Sequence, residues 1–406
     1  MTPPDNKWPA RSLMLVLAAL AALATLSTNI MLPAFPGIAH GLDVPVEAMG
    51  ATFTVFFFGF AITQLFVGPL SDRYGRQPVA IAGVALVIAG SIVCAVAPSF
   101  PVLLVGRVVQ SLGAAATSVI ARAVARDRFE GESLTRVMAF VMVAMAAAPG
   151  FSPLFGGALE TWLGWRSIFL AVAVVTVLVA LGYALLVGET LSPSRRRVLS
   201  PPAIARDYCS LAAERPFILP ALAISLTIGS LYAVFAASPR ILMIEHGLDP
   251  QQFGWYFAGT VIVVFAAGAA APRLATRFGA ERALQAGLVT GLAGSIAMLG
   301  LEALGMATLA TYTATLCLFL LGMGVANPVG TAVALGPVGN RAGQASALLG
   351  FLQMAMAGIG AGIAGALPMA PVGALGLVMS IAMAVAVLAF GLRDRSRVAT
   401  RAAPSA

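Results

Sequence analysis

One arginine sits in a stretch that otherwise carries no charge. Leu104-Val-Gly-Arg107-Val-Val-Gln110-Ser-Leu-Gly113 places Arg107 about six residues inside an apolar run, ~9 Å from its end at the helical rise. A guanidinium at that depth in an apolar medium is costly without a partner or a water-filled cavity. Its chemistry is therefore that of a fixed positive charge, and the plain alternative is an arginine snorkelling to an interface. A second constellation, Gly68-Pro-Leu-Ser-Asp72-Arg73-Tyr-Gly75-Arg76, joins two apolar runs. Asp72 with Arg73 and Arg76 forms a charge cluster able to lock one side of a membrane protein in one state. Gly68 allows close helix approach, and Gly75 allows a tight reversal. Asp72 separates this reading from a turn with orienting arginines, because acids add little to orientation.

A third segment, Ala148-Pro149-Gly-Phe-Ser-Pro153-Leu-Phe-Gly156-Gly157, removes two helix hydrogen bonds through its prolines. Gly156 and Gly157 let a neighbour pack closely. Without further meaning this is a proline kink. Other polar groups in apolar surroundings are Asn29, Gln64, Gln110, Gln353 and Asn327 before Pro328. In lipid such groups more often bond helix to helix than hold a ligand. Asn327-Pro328 breaks a hydrogen-bond ladder and can turn carbonyls toward a cavity. Phe53, Phe56, Phe57, Phe58 and Phe60 cover every face of one helix, so most are packing or lipid-facing. Tyr232 and Phe235 read as cavity walls, and Met142 and Met145 as adaptable apolar fillers of a permissive pocket.

These residues need a scaffold, and the composition dictates it. Of 406 residues, 60% are hydrophobic and 10% charged, with a mean hydropathy of +0.95. Soluble domains carry about a quarter charged residues, so this chain cannot cover a globule with polar surface. In lipid only helices and closed barrels satisfy the backbone. The apolar runs are long and do not alternate, which selects helices. The expected spans are Leu13–Phe35, Ala51–Leu70, Val79–Ala97, Val102–Ala123, Val137–Leu159 and Ser167–Val187, then Phe217–Ser238, Trp255–Ala271, Ala283–Leu301, Leu309–Val329, Ala345–Leu367 and Gly373–Leu392. The first reads as an uncleaved helix despite its resemblance to a signal peptide. The polar stretch Glu189 to Glu214 divides six spans from six, and reads as a linker with some helix. The expected fold is an all-α membrane protein with twelve transmembrane helices in two six-helix pseudo-symmetric halves. Residues 1–188 form the first half, 189–215 a cytoplasmic linker, and 216–406 the second half with a basic tail.

Charge placement gives the orientation. One set of loops holds Lys7, Arg11, Arg73, Arg76, Arg122, Arg126, Arg128, Arg136, Arg195 to Arg197, Arg206, Arg215, Arg273, Arg277, Arg282, Arg341 and the tail from Arg393. The opposite set holds only Arg166 and Arg240. The positive-inside rule then puts both termini in the cytoplasm, as an even number of spans requires. The net charge of +8 is thus membrane orientation rather than nucleic-acid binding. The halves also echo each other: Leu70-Ser-Asp-Arg-Tyr-Gly75 returns 204 residues later as Leu274-Ala-Thr-Arg-Phe-Gly279. A parallel repeat of this kind marks transporters whose halves rock about a substrate.

Several functions lose support at once. Cys94, Cys209 and Cys317 show no pairing or metal-ligand spacing, and His40 and His246 lie far apart in loops, so neither a metal nor a cofactor is expected. No glycine loop with a lysine exists for ATP, and no constellation for an intramembrane enzyme lies in the spans.

The motifs resemble a known family. The Gly68–Arg76 segment is similar to the signature loop of the major facilitator superfamily, and Leu104–Gly113 to its second motif. Ala148–Gly157 is similar to the antiporter motif of its exporters, with Ser152 where glycine is usual. Ser27-Thr-Asn29-Ile-Met-Leu-Pro33-Ala-Phe-Pro36, Gly164-Trp-Arg166-Ser-Ile-Phe169 and Ala345-Ser-Ala-Leu-Leu-Gly350-Phe-Leu-Gln353 narrow the resemblance to the Bcr/CflA group of drug:proton antiporters. The resemblance runs from about Leu23 to Gly365. It implies coupling and gating roles for Asp72, Arg73, Arg76, Arg107, Pro149, Pro153, Gly156 and Gly157, with Arg107 in proton coupling. It further implies export of drugs or amphipathic small molecules by a monomer in the bacterial inner membrane. Asn29, Gln110, Met142, Tyr232, Phe235, Asn327 and Gln353 are the expected substrate-cavity residues.

One departure bears on coupling. The group usually has an aspartate where this chain has Asn29, and an asparagine carries no proton. No Asp or Glu lies well inside a span; Glu160 and Glu302 sit at span ends. A coupled proton must then use Asp72, a span-end acid or a substrate group. Asn29 and Arg107 are expected at similar depth, facing one cavity that admits neutral or anionic substrates. The alternative function is transport of one specific metabolite, an amino-acid derivative or sugar, without strict proton coupling.

Overall fold

The computed structural model describes residues 10–196 and 201–402; Lys7 and Arg197 lie outside them. Twelve helices are long and apolar enough to cross a membrane: Arg11–Gly41 (span 1), Val46–Tyr74 (span 2), Arg76–Ala95 (span 3), Phe100–Arg128 (span 4), Gly131–Leu163 (span 5), Trp165–Leu186 (span 6), Arg215–Glu245 (span 7), Pro250–Phe278 (span 8), Ala280–Ala303 (span 9), Leu309–Gly339 (span 10), Ala342–Ala366 (span 11) and Pro371–Leu392 (span 12). No strand occurs among the described residues. The fold is the expected all-α membrane architecture of six spans and six.

Most helices outrun their apolar windows. Span 5 starts at Gly131 rather than Val137, and carries Glu132 and Arg136 as an exposed i,i+4 ion pair in its first turns. Hydropathy marks where lipid begins, whereas the backbone ladder continues wherever polar side chains can reach water. Span 7 runs on past Ser238 through a π-helical turn, Pro239–Glu245. Span 1 is interrupted: its long helix ends at Asn29, and a short turn leads into a second helix, Phe35–Gly41. Among its described residues the linker holds a 3-10 turn, Pro193–Arg195, and an α-helix, Pro201–Ala213.

The chain forms two compact units. One comprises residues 1–44, 59–199 and 250–257; the other 45–58, 200–249 and 258–406. In the first, Leu13, Leu17 and Leu20 of span 1 pack with Ile120 and Val124 of span 4, Val137 and Val141 of span 5, and Val179 and Tyr183 of span 6. The second buries Phe217, Ile224, Leu284, Leu288, Phe319, Met379 and Met383.

Glycines set the closest backbone approaches, the usual device where lipid supplies no hydrophobic drive between helices. Gly90 of span 3 lies on the backbone of Gly106 and Gln110 in span 4, and Gly113 on that of Gly83 and Val87. In the second unit Gly287 and Gly294 of span 9 lie against Gly322 and Phe319 of span 10. Gly83 and Gly90 recur 204 residues later as Gly287 and Gly294, so the repeat extends beyond its short motif. Gly156 of span 5 likewise meets the Ile30 carbonyl of span 1, while Gly229 of span 7 meets Met356 and Gly360 of span 11. Gly68 does not follow this pattern. It has open space around it, which corrects the expectation of close packing there.

Candidate functional site

Arg107 is completely buried in span 4. Its Nη1 donates to the Ser27 carbonyl at 2.9 Å and to Gln110 Oε1. Gln110 Nε2 in turn donates to Ser91 Oγ at 2.7 Å, and Ser91 donates to the Val87 carbonyl. The residue spacing explains the row: positions 107 and 110 share a helix face, and Gly106 and Gly90 bring span 3 close enough for Ser91 to join.

The break in span 1 supplies the acceptor. The last four carbonyls of a helix have no partner within it. The helix ends at Asn29, so Ser27 is among them, and Pro33 cannot donate to the carbonyl of Asn29. Arg107 thus meets the negative end of a helix dipole, a favourable place for a cation. Asn29 is also fully buried; its Nδ2 donates to the Thr25 carbonyl at 2.9 Å, and its Oδ1 has no hydrogen-bond partner. Asn29 thus lies two residues beyond the carbonyl on which the row of Arg107, Gln110 and Ser91 ends.

At the arginine-rich end of this unit, Arg76 Nη1 pairs with Asp72 at 2.7 Å and its Nε with Asp127 Oδ2 at 3.0 Å. Thr190 Oγ1 also donates to Asp127 Oδ2, at 3.1 Å. Glu189 approaches from the opposite side. It accepts from the backbone N–H of Arg76 at 2.9 Å and of Gln77 at 3.3 Å, capping span 3 across 113 residues. Burial alone would push the Glu189 carboxyl up. Backbone donors from Leu191, Arg76, Gln77 and Thr190 outweigh it and hold the group below the usual carboxylate range. Gly75 makes the seat possible, with φ of +103° and no side chain to strike the Glu189 carboxylate. Arg73 departs from expectation: it is exposed and lies 5.2 Å from the Tyr74 ring centroid, with no ion pair among the described residues. One position on along the helix, it projects about 100° away from Asp72. Asp127 and Glu189 were not singled out in the sequence, where both read as ordinary loop charges.

Pro149 and Pro153 lie within the continuous helix of span 5, and Ser152 Oγ is buried there without a hydrogen bond. Gly156 abuts the Ile30 carbonyl, and Gly157 abuts Pro250 at the start of the 250–257 segment. In the second unit Tyr232 and Phe235 are buried rather than lining open space. Tyr232 stands edge-on to Phe57 at 4.2 Å and to Phe235 at 5.4 Å between centroids, and Phe53 stacks on Phe57. Phe53, Phe56, Phe57 and Phe60 are buried, whereas Phe58 and, further along the same helix, Phe66 are exposed, so its first half packs and its second half faces outward on one side. Met142 lies on an exposed face of span 5. Asn327 and Gln353 are half-buried, and Thr331 Oγ1 donates to the Asn327 carbonyl at 2.8 Å. Of the sequence-selected cavity residues, Gln110 belongs to the Arg107 row in one unit and Tyr232 and Phe235 to an aromatic cluster in the other, while Met142 is exposed and Asn327 and Gln353 are half-buried elsewhere. No cluster of metal-ligating side chains occurs among the described residues.

The bicyclomycin resistance protein homolog of Haemophilus influenzae is 28% identical over 386 residues, spanning 93% of this chain and 94% of the relative. Multidrug resistance protein D of Escherichia coli is 27% identical over 372 residues, spanning 91% and 92%. A bacterial homolog of the lysosomal transporter Spinster superposes with a TM-score of 0.74 at 18% identity, over 98% and 99% of the two chains, which establishes the shared fold. The two resistance proteins are transporters of the Bcr/CflA-like kind that the motifs resemble, and twelve apolar spans make this a multi-pass inner-membrane protein. The family model of the Major Facilitator Superfamily matches residues 17–361, and the chain belongs to that superfamily.

Proposed function

We propose that the protein exports drugs or other amphipathic small molecules by alternating access, driven by protons. Relatives named for bicyclomycin and multidrug resistance support the substrate class. The observation that carries the reading is the fully buried guanidinium of Arg107, which donates to a backbone carbonyl and a carboxamide. Such a charge is costly in an apolar interior, and polar or charged residues kept at that depth mark substrate and ion pathways. Substrate approach or proton movement would change which acceptors Arg107 uses. The positive-inside distribution favours cytoplasmic termini.

Everted vesicles containing the protein test this reading with chloramphenicol and ethidium as probes. The expected result is uptake that collapses when the pH gradient is dissipated, and that Arg107→Ala abolishes. Uptake of either probe unaffected by both treatments overturns it. Asn29 favours a second reading, a transporter of one specific metabolite, an amino-acid derivative or sugar, without strict proton coupling, because the position cannot carry a proton. A single tight, gradient-independent ligand with no competition from amphipathic probes is its signature.

A further inference from the structure

Span 1 offers no carboxyl to carry a proton beside Arg107, since Asn29 stands where the resembling group has an acid. One lies near it in the fold. Glu160 is on span 5, one turn beyond Gly156 and Gly157. Its Oε1 rests against Gly37 in the short helix Phe35–Gly41, so closely that a methyl group at Gly37 would collide with it. Its Oε2 is buried and has no hydrogen-bond partner. No ion pair to Glu160 occurs among the described residues.

The charges around it are otherwise engaged or face away. The helix Phe35–Gly41 carries His40, which is exposed. Span 6 carries Arg166, whose Nη2 donates to the Ala97 carbonyl at 3.2 Å while its guanidinium lies 4.1 Å from the Trp165 ring centroid. Span 4 carries Arg107, directed to Ser27 and Gln110. The turn Leu32–Ala34 has no ionisable side chain, and segment 250–257 brings only Tyr256, with Asp249 just before it. A carboxylate with one oxygen buried and undonated is costlier to charge than one in water, and Glu160 Oε2 is such an oxygen.

The placement also connects Glu160 to the Arg107 row mechanically. On the same helix, one turn earlier, Gly156 abuts the Ile30 carbonyl, and Ile30 follows Asn29. A change in how span 5 packs on Phe35–Gly41 therefore reaches the broken end of span 1 that Arg107 binds.

We propose that Glu160 is the proton-carrying carboxyl of the transport cycle, taking the part that Asn29 cannot. The proposal rests on the proton-coupled reading above. The step is a proton transfer alone: an O–H bond forms at Glu160 Oε2 as one breaks in a hydronium ion from the adjoining water, and the reverse occurs on release. The neutral acid lets the Phe35–Gly41 helix seat against span 5; the carboxylate loosens that contact.

Two measurements on purified full-length protein test it, with Glu160→Gln as the isosteric variant and Glu160→Asp as one that keeps the acid. Infrared difference spectra between acid and neutral pH need no substrate. The protonated-carboxyl stretch that changes in the wild type should be lost in Glu160→Gln and present in Glu160→Asp. Identical spectra in wild type and Glu160→Gln overturn the assignment. In proteoliposomes, pH-gradient stimulation of ethidium and chloramphenicol transport should be lost in Glu160→Gln while gradient-free exchange of the same probes persists. A wild type driven by the gradient together with a Glu160→Gln protein equally driven overturns the role of Glu160 and leaves proton coupling standing. A wild type indifferent to the gradient overturns the coupled reading itself, and this proposal with it.

Discussion

The two halves repeat one turn and stabilise it by different means. After span 2, Leu70–Gly75 ends in Gly75 with φ of +103°, and span 3 begins. After span 8, Leu274–Gly279 ends in Gly279 with φ of +90°, and span 9 begins. The backbone solution is the same, yet the charges are not. Thr276 and Ala280 stand where the first half has Asp72 and Arg76. The second half has its own ionic contacts elsewhere: Arg341 pairs with Glu214 and donates to Ser210, and Gln344 donates to Asp207 at 2.6 Å, which ties span 11 to the linker helix and its end. The lesson is that a repeat can preserve the conformational requirement of a turn and leave its electrostatics free to diverge. The first clamp is buried, with 11% and 8% of the Arg76 and Asp127 side chains exposed; the Arg341–Glu214 pair keeps 40% and 38%. Burial decides which one carries stability, because removing one partner strands the other only where water cannot reach it.

The largest expected effect follows directly. Asp127→Ala leaves Arg76 with Asp72 and the Ser71 hydroxyl in a nearly closed site, and should destabilise by about 3 kcal/mol, the lower end for breaking a buried pair. Thermal unfolding of the detergent-solubilised protein measures it. Replacing Arg76 as well should recover part of the loss, since no stranded charge remains. A loss below about 1 kcal/mol would place the clamp with ordinary surface pairs and erase the contrast between the halves.

Glycine substitution separates conformation from charge. Both Gly75→Ala and Gly279→Ala force a side chain into a positive-φ position, at roughly 1–2 kcal/mol each. A methyl at Gly279 meets nothing within 4 Å, whereas one at Gly75 strikes the Glu189 carboxylate. Gly75→Ala should therefore cost more, and the surplus should shrink when Glu189→Ala is added. Equal costs in the two halves would mean that Glu189 gives way freely.

Much of this was legible in the sequence, and the rest was hidden for identifiable reasons. Apolar runs announce the spans because lipid demands them, and Arg107 stands out because charge is rare among them. Gly75 and Gly279 could be read as turns from their place in the repeat. The acceptor for Arg107 could not be read directly, because a backbone carbonyl belongs to every residue; Pro33 and Pro36 after Asn29 were the available sign that span 1 ends early. Asp127 and Glu189 join Arg76 from 51 and 113 residues away, and only the packing of spans 3, 4 and 6 brings them together. Tyr232 was expected at a cavity wall, but its buried partners Phe53 and Phe57 come from a helix whose aromatics cover every face, so periodicity gave no indication of the pairing.

A smaller effect is expected at Glu189, where the sign with pH can be worked out. Its carboxyl is held below the usual range in the folded protein. The stabilisation it adds is therefore fully present above the ordinary carboxylate range and is lost as the pH falls through its lowered folded value. Glu189→Gln removes the charge from the N-terminus of span 3, a change worth about 0.5–1 kcal/mol. The variant should unfold more easily at neutral pH and converge on the wild type in acid. A constant difference across the acid range would show that shape, not charge, is what Glu189 supplies.

The smallest effect is predicted for the second half. Arg341 and Glu214 are each more than a third exposed, so water solvates whichever partner is left behind. Arg341→Ala should change stability by about 0–1 kcal/mol, and salt should diminish even that, because exposed pairs are screened within a Debye length of about 10 Å at 0.1 M. The Asp127→Ala deficit should persist in the same salt. Arg341 also donates to Ser210 of the linker helix, so its loss should show more clearly in that helix than in the global transition. Hydrogen exchange of residues 201–213 reads the local effect: faster exchange there with an unchanged melting temperature fits a contact that fastens the linker without holding the half together. Slower global unfolding without Arg341, or a loss as large as that of Asp127→Ala, would mean that exposure is a poor guide to which clamp matters.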